Sequence, residues 1–141
     1  MPGIIAHLTI ANKILQECPE LVCDVFAFYL GSVAPDTIES KVGCTRNDKK
    51  RVHLREGIKD IEWLNNEKMV LFKNRIRRFA DEIISKSSKN QRDFNIGYLV
   101  HLLTDEWSYR TIRQTIVKKA NAMNILEADR IQIHDITLSA S

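Results

Sequence analysis

The 141-residue sequence predicts an all-α fold. Apolar residues recur at helical spacing in each long segment, and no two segments form convincing strands that could pair with each other. The connections between the predicted helices are short enough for antiparallel neighbours. Apolar residues make up 44% of the chain and charged residues 28%, which is ordinary for a globular protein. These observations predict a multi-helix, bundle-like single domain over residues 1–141.

The first predicted helix runs from Ile4 to Gln16. Its apolar stripe is formed by Ile4, Leu8, Ala11 and Leu15. His7 lies on the flank of that stripe. A single flanking histidine is usually a packed or half-exposed side chain, so His7 alone identifies no site.

The second predicted helix covers the apolar run Cys23–Leu30, and Gly31 is expected to end it. Pro35 predicts a turn over Ser32–Asp36, because proline disfavours helical backbone at the residue before it. Asp36 has two interpretations. It fits the N-cap of a following helix, with an acidic residue three positions later, and it equally suits a metal ligand held on a rigid turn.

Two further helices are predicted after a polar loop over residues 40–47. The first runs from about Lys50 to Trp63, and His53 lies one residue before its apolar stripe of Leu54, Ile58 and Ile61. The second runs from Lys68 to Ile84. Its inward-facing residues are predicted to be Met69, Phe72, Ile76, Phe79 and Ile83.

The helix that contains residues 97–109 is predicted to be central, with Asn90 as its N-cap and Asp93 at N3. His101 and Asp105 are four residues apart and therefore share one face. A buried polar pair needs partners, and a metal ion is one such partner. The broad apolar stripe of this helix is formed by Ile96, Leu99, Val100, Leu103 and Trp107.

The last part of the chain is predicted to continue as a helix to about Met123. Residues Leu126–Leu138 are predicted to form a short helix with a frayed tail.

The net charge of +3 is too small to indicate nucleic-acid binding, although it suits an anionic phosphate substrate. The longest apolar run, Val25–Leu30, is too short to span a bilayer. No leader is visible, and three cysteines without CxxC spacing indicate neither a disulfide framework nor a zinc knuckle. We expect a cytoplasmic protein.

The candidate chemistry-bearing residues are histidines and aspartates on or beside the predicted helices. They are His7, His53, His101, His134, Asp36 and Asp105. A metal site in a helical bundle needs inward nitrogen and oxygen ligands from several helices. Water held by zinc becomes a hydroxide nucleophile near neutral pH, which suits the hydrolysis of phosphate esters.

The ordered motifs resemble those of the zinc-dependent phospholipase C family, which is related to the single-strand-specific zinc nucleases. The resemblance covers residues 1 to about 110. It rests on His7, the segment Gly31–Asp36, the pair Val52–His53 and the segment Gly97–Asp105. Its most specific parts are Gly-Ser-x-Ala-Pro-Asp and Gly-Tyr-x-x-His-x-x-x-Asp.

The resemblance implies an all-helical domain with a zinc cluster whose ligands are His7, Asp36, His53, His101 and Asp105. Asp105 is the implied bridging carboxylate, and Asp36 is expected to help activate the attacking water. The implied reaction is hydrolysis of a phosphodiester that releases a phosphorylated head group from a phospholipid. The expected substrate is thus a small phosphoester or a phospholipid head group.

The sequence departs from the family pattern in three ways. The secreted phospholipases use their processed N-terminal residue as a ligand, whereas this chain starts at Met1, a few residues before His7. Of the downstream histidines and glutamate that complete the cluster in those enzymes, His134 is the sole candidate. The third departure is that we expect no leader for secretion. We therefore expect a reduced cluster of one or two ions, of zinc or another divalent metal, in a metal-dependent phosphoesterase.

Three alternatives remain at this stage. The chain could be a helical binding or regulatory domain that keeps the metal without catalysis. It could be a nucleotide phosphohydrolase of the HD type, suggested by His134–Asp135, although too few residues follow for the further aspartate of such sites. It could also bind no metal, with the histidines as ordinary core or surface residues.

Overall fold

The described part of the chain in this computed structural model, residues 2–59, 62 and 65–123, consists of helices and connecting segments without a β-strand. The predicted all-α fold is therefore confirmed. The α-helices of these ranges are α1 (Ile4–Glu17), α2 (Val25–Thr37), α3 (Arg46–Val52), α4 (Asn66–Phe79), α5 (Lys89–Ser108) and α6 (Gln114–Ala122). Helices α4 and α5 continue as single π-helical segments, Ala80–Ile84 and Tyr109–Arg113. The predicted tail Leu126–Leu138 lies outside the described residues.

Helices α2 and α5 cross at two glycines. A Cβ atom on Gly31 would lie 2.0 Å from the carbonyl oxygen of Phe94, and a Cβ atom on Gly97 would lie 2.0 Å from the carbonyl oxygen of Phe28. Only residues without a Cβ allow the two backbones to approach so closely. Gly31 therefore serves helix packing and does not end α2, which corrects the prediction of a helix end at that residue.

The predicted turn over Ser32–Asp36 is also wrong, because α2 passes through Pro35 and ends at Thr37. Pro35 lies near the C-terminal end of α2, where the loss of one backbone donor does not interrupt the buried crossing upstream. Asp36 consequently lies in the last turn of α2 and is not an N-cap.

The start of α2 is held by two aspartates. The side chain of Asp24 accepts a hydrogen bond from the backbone N–H of Ala27 at 3.0 Å. The carboxylate of Asp93, on α5, accepts from the backbone N–H groups of Cys23 and Asp24 at 2.8 and 2.6 Å. Because α5 begins at Lys89, Asp93 lies beyond its first turn and instead binds the two residues that precede α2, which corrects the predicted position at N3.

The helix predicted over Lys50–Trp63 is shorter and lies earlier in the chain. Thr45 and Asp48 form a capping box that starts α3 at Arg46, and the helix ends at Val52 with His53 as its C-cap. Leu54 then has a φ angle of 56°, a left-handed conformation that a helix cannot contain. Of the predicted stripe, Ile58 is buried in a non-helical segment, whereas Ile61 and Trp63 lie outside the described residues.

Two apolar clusters pack around α5. One joins α4 to α5 and the segment after it, through Ile58, Met69, Phe72, Ile76, Leu102 and Tyr109. The other joins α1 and α2 to α5, through Ala11, Val22, Phe28, Ile96 and Val100. Several predicted stripe residues lie outside these clusters, with exposed side chains at Ile4, Leu8, Ile83, Leu103, Trp107 and Met123. The faces of α1 and α5 that turn inward instead include polar residues, which form the site described next.

No helix in the described ranges has the length and apolar character needed to cross a bilayer.

Candidate metal centre

All five residues that the sequence proposed as metal ligands converge between four helices. His7 comes from α1, Asp36 from the last turn of α2, His53 from the C-terminal end of α3, and His101 and Asp105 from α5. His7, His101 and Asp105 are fully buried, and His53 is 1% exposed. Asp36 reaches the surface with 14% of its side chain. The cluster thus has one partly open member.

Each carboxylate faces the Nε2 atoms of all three histidines. From Asp105, the distances are 3.5 Å to His7, 3.7 Å to His101 and 3.9 Å to His53. From Asp36, they are 3.1 Å to His53 and 3.9 Å to both His7 and His101. Two sets of potential ligand atoms lie within 4.8 Å of one another: His7, His101 and Asp105, and Asp36, His53 and His101.

Backbone carbonyls orient two of the histidines. The Nδ1–H group of His53 donates to the carbonyl of Lys49 at 2.8 Å, and that of His101 donates to the carbonyl of Ser32 at 2.8 Å. Because a carbonyl oxygen only accepts, Nδ1 carries the proton in each ring. A neutral ring then presents an unprotonated Nε2 to the centre, which is the arrangement that metal-binding histidines use.

Burial and mutual proximity favour the protonation states that metal binding needs. Burial, helped by nearby His101, lowers the pKa of His7 to about 4, and the two rings stack with centroids 3.7 Å apart. Burial also lowers the pKa of His101. Burial alone would raise the pKa of Asp36, but the side-chain contact with His53 and the surrounding histidines outweigh it and lower that pKa to about 2. At neutral pH, two neutral imidazoles therefore face an ionised Asp36 carboxylate.

The donor set fits a divalent metal ion. Ligand atoms about 2.0 Å from a tetrahedral zinc ion are about 3.3 Å from one another, and the nitrogen–oxygen distances here run from 3.1 to 3.9 Å. Both ring nitrogens of His7 and the Nε2 of His101 are buried without a hydrogen-bond partner. Buried polar atoms rarely lack a partner, and a metal ion between them would supply one. Imidazole and carboxylate together suit zinc and related divalent transition metals.

The comparison with protein families agrees with this geometry. The family model described as zinc dependent phospholipase C matches residues 6–105, which is more than two thirds of the chain. The chain belongs to the zinc-dependent phospholipase C family. The match starts one residue before His7 and ends at Asp105, so it contains all five clustered residues. No curated protein and no solved structure gives a significant match.

Two features of this phospholipase C-like centre could not be found from the sequence. The carbonyl groups of Ser32 and Lys49 orient His101 and His53, respectively. Every residue has a backbone carbonyl, so the amino-acid sequence does not show which carbonyls take this role. Tyr98, which belongs to the Gly-Tyr-x-x-His-x-x-x-Asp motif but has no role assigned from the sequence, donates a hydrogen bond from its hydroxyl to the carbonyl of Val52 at 2.5 Å. That bond ties the end of α3, and so the adjacent His53, to α5. His134, the remaining candidate from the sequence, lies outside the described residues.

Proposed function

We propose that this member of the zinc-dependent phospholipase C family is a metal-dependent hydrolase of phosphoric diesters. The proposed metal ligands are His7, Asp36, His53, His101 and Asp105. The observation that carries the proposal is the buried convergence of three histidine Nε2 atoms on two carboxylates, at distances of 3.1 to 3.9 Å. This arrangement is costly without a cation, because both ring nitrogens of His7 and the Nε2 of His101 are buried without a hydrogen-bond partner.

The chain's own residues would orient the metal and the substrate. Zinc bound here would supply a hydroxide nucleophile near neutral pH and polarise a phosphoryl oxygen. The Lys49 and Ser32 carbonyls hold His53 and His101 in the ligating tautomer. The two oxygens of Asp105 face different histidines, Oδ1 towards His7 and Oδ2 towards His101, which suits the proposed bridging role.

Asp36 is the proposed residue beside the attacking water, because it is the cluster member that reaches solvent. Its low pKa of about 2 makes it a weak proton acceptor, since a general base works best when its pKa is near the operating pH. This favours a role for Asp36 as a ligand that orients the water over a role as the general base. The proposed substrate is a small phosphodiester or the head group of a phospholipid, as the family implies.

One observation favours a second function, a helical domain that keeps the metal as a structural or regulatory element. Four of the five cluster side chains are at most 1% exposed, which leaves little room for a substrate to reach the ion. Structural zinc sites usually have closed shells rich in cysteine, however, and this cluster contains none. We therefore rank hydrolysis first.

Activity on a generic phosphodiester separates the two functions. Zinc-loaded wild-type protein should hydrolyse bis(p-nitrophenyl) phosphate, and Asp36→Asn should lose about 100-fold or more in kcat/KM, because the attacking water would no longer be held in position. Zinc content of both proteins is measured in parallel by elemental analysis. A zinc-replete wild type without activity on any phosphodiester would reject the hydrolase and leave the structural or regulatory function.

A further inference from the structure

Helix α3 ends at His53 in a backbone arrangement that usually requires glycine. The N–H of Leu54 donates to the carbonyl of Arg51 at 3.0 Å. The N–H of Arg55 donates to the carbonyl of Lys50 at 2.7 Å. This pair of bonds closes a helix when the residue after the C-cap is left-handed, and glycine is the usual residue at that position. Leu54 occupies it here with a φ angle of 56°, so a strained residue follows His53 directly.

A side chain on α4 holds this turn. The Nη1 group of Arg75 donates to the carbonyl of Leu54 at 3.0 Å and to the carbonyl of Glu56 at 2.7 Å. Hydrogen bonds from a charged donor are stronger than those between neutral groups. The side chain of Leu54 also packs against the apolar cluster that joins α4 to α5. The turn after His53 is therefore anchored to α4 by a charged donor as well as by apolar packing.

The residue before His53 is held from α5. The hydroxyl of Tyr98 donates to the carbonyl of Val52 at 2.5 Å, and the Tyr98 ring stacks on that of Phe79 with centroids 5.1 Å apart. Phe79 follows Arg75 by four residues and so lies on the same face of α4. Two donors that lie where α4 contacts α5 therefore bind the carbonyls of the residues on either side of His53.

The candidate metal centre depends on the direction of His53. Its Nε2 atom lies 3.1 Å from Asp36 and 3.9 Å from Asp105, and its side chain is only 1% exposed. Helix α3 contributes no residue to the two described apolar clusters, so apolar packing of the helix does not fix this direction. A ligand that is already held in the binding geometry loses less conformational freedom when the ion binds, and the ion is bound more tightly.

We propose that Arg75 is a positioning residue for His53 and that Tyr98 shares this role. The proposal rests on the proposed function for the ligand role of His53, but not on hydrolysis. It gives a part in metal binding to α4, which carries none of the five clustered residues. It also distinguishes the two potential ligand sets, because the set that contains Asp36 includes His53 and the set that contains His7 does not.

Arg75→Gln tests this role in the full-length protein. It should lower the zinc affinity about 10-fold, because losing a partner that orients a metal ligand costs about 10- to 100-fold. Electrostatics alone predicts the opposite sign, since removing a cation favours the binding of another cation. Arg78→Gln is the matched control, with the same charge change on the same helix at a side chain that is 76% exposed beside Glu82. Competition with a chromophoric chelator measures the affinity.

A second background separates positioning from general stability. In His53→Ala protein, Arg75→Gln should cause no further loss of zinc affinity, because the ligand that it orients is absent. A general loss of stability would instead lower the affinity by the same factor in both backgrounds. Tyr98→Phe removes the hydroxyl and keeps the ring on Phe79, and its effect should depend on His53 in the same way.

Two further readouts follow the geometry directly. The visible absorption of cobalt(II)-loaded protein reports the number and arrangement of ligands, so it should change in Arg75→Gln and stay unchanged in Arg78→Gln. Hydrogen exchange of residues 53–58 in metal-free Arg75→Gln should be faster than in the wild type, since the turn has lost its anchor.

The outcomes separate this proposal from the proposed function. Faster exchange without a change in zinc affinity or cobalt spectrum, or equal losses of affinity with and without His53, would overturn the positioning role. A wild type that binds neither zinc nor cobalt would reject the proposed function and the positioning role together. A positioning effect in a zinc-loaded protein that hydrolyses no phosphodiester would reject hydrolysis alone.

Discussion

His101 contacts every other member of the candidate centre. Its ring stacks on His7, lies 5.1 Å from the ring of His53 between centroids, and directs Nε2 to both aspartates at 3.7 and 3.9 Å. It is also the residue that the two ligand sets share. A single ion in either set would therefore involve His101.

Replacing His101 by alanine should lower zinc affinity by more than about 100-fold, since loss of even an outer-sphere partner costs 10- to 100-fold. The affinity is measured by competition with a chromophoric chelator, and the zinc content by elemental analysis. His134→Ala is the matched control, because we do not include His134 in the ligand set. Equal zinc retention by the two variants would contradict the assignment of His101.

The low pKa of His7 predicts a pH dependence of stability in the metal-free protein. The pKa is about 4 in the folded chain, with His101, Asp105 and Asp36 around the ring, and 6.5 is the reference value for the unfolded chain. Between these values the unfolded chain binds more protons, so the free energy of unfolding falls as the pH is lowered from 6.5 to 4. The stabilisation is complete above that window.

This pH dependence is measured by urea denaturation at several pH values in the presence of a chelator. His7→Gln should reduce the slope, while burial of His101 contributes to the slope in the same direction. A free energy of unfolding that rises on acidification through this window would contradict the prediction.

The crossing of α2 and α5 positions most of the centre at the scale of elements. Asp36 follows Gly31 by five residues, and His101 and Asp105 follow Gly97 by four and eight residues. The ligands on both helices therefore lie one to two turns beyond the point of closest approach. The carbonyl of Ser32, next to Gly31, reaches His101 across the same crossing. Close packing and ligand geometry are thus properties of one helix pair.

Gly97→Ala should lower the free energy of unfolding by about 3 kcal/mol, because its Cβ would overlap the Phe28 carbonyl and force the helices apart. Chemical denaturation measures this loss. Gly3→Ala is the control, because a Cβ there meets nothing within 4 Å; Gly3 is the N-cap of α1, where alanine is less favourable than glycine, so its cost should stay at or below about 1 kcal/mol. Similar stability of the Gly97→Ala variant and the wild type would show that the crossing is looser than described.

At the scale of the whole molecule, the centre joins four helices that are far apart in sequence. Its ligands come from α1, α2, α3 and α5, so a bound ion would link the two ends of the matched region. Apolar packing also joins α1 and α2 to α5, whereas α3 contributes no residue to the two apolar clusters. The attachment of α3 relies on polar contacts that include the Tyr98–Val52 hydrogen bond and the His53–Asp36 pair.

Zinc should therefore raise the melting temperature of the protein. A ligand that binds only the folded state at 1,000 times its Kd adds about 4 kcal/mol to the free energy of unfolding. Differential scanning calorimetry with excess zinc or a chelator measures the shift. Asp105→Ala should show little shift, because it removes the fully buried one of the two carboxylates that face all three histidines. An equal shift in both proteins would place the zinc elsewhere.

The residue pattern alone was sufficient for the helical fold class and for the family. Helical spacing is a local property, so α1 and α4 were predicted with nearly correct bounds. The ordered His and Asp motifs are also local, and the five residues they named are the five that converge. The predictions failed where one local signal has two uses. Gly31 can end a helix or admit a neighbouring backbone, and Pro35 is tolerated near a helix end.

Only the tertiary structure decided which face of each helix turns inward. Hydrophobicity predicted Leu103 and Trp107 as core, yet each is 48% exposed, while His101 and Asp105 are fully buried. A polar side chain can be buried when polar partners surround it, and those partners come from other helices. Because such partners lie many residues away, the burial, the tautomers and the lowered pKa of His7 follow from helix packing rather than from the local sequence.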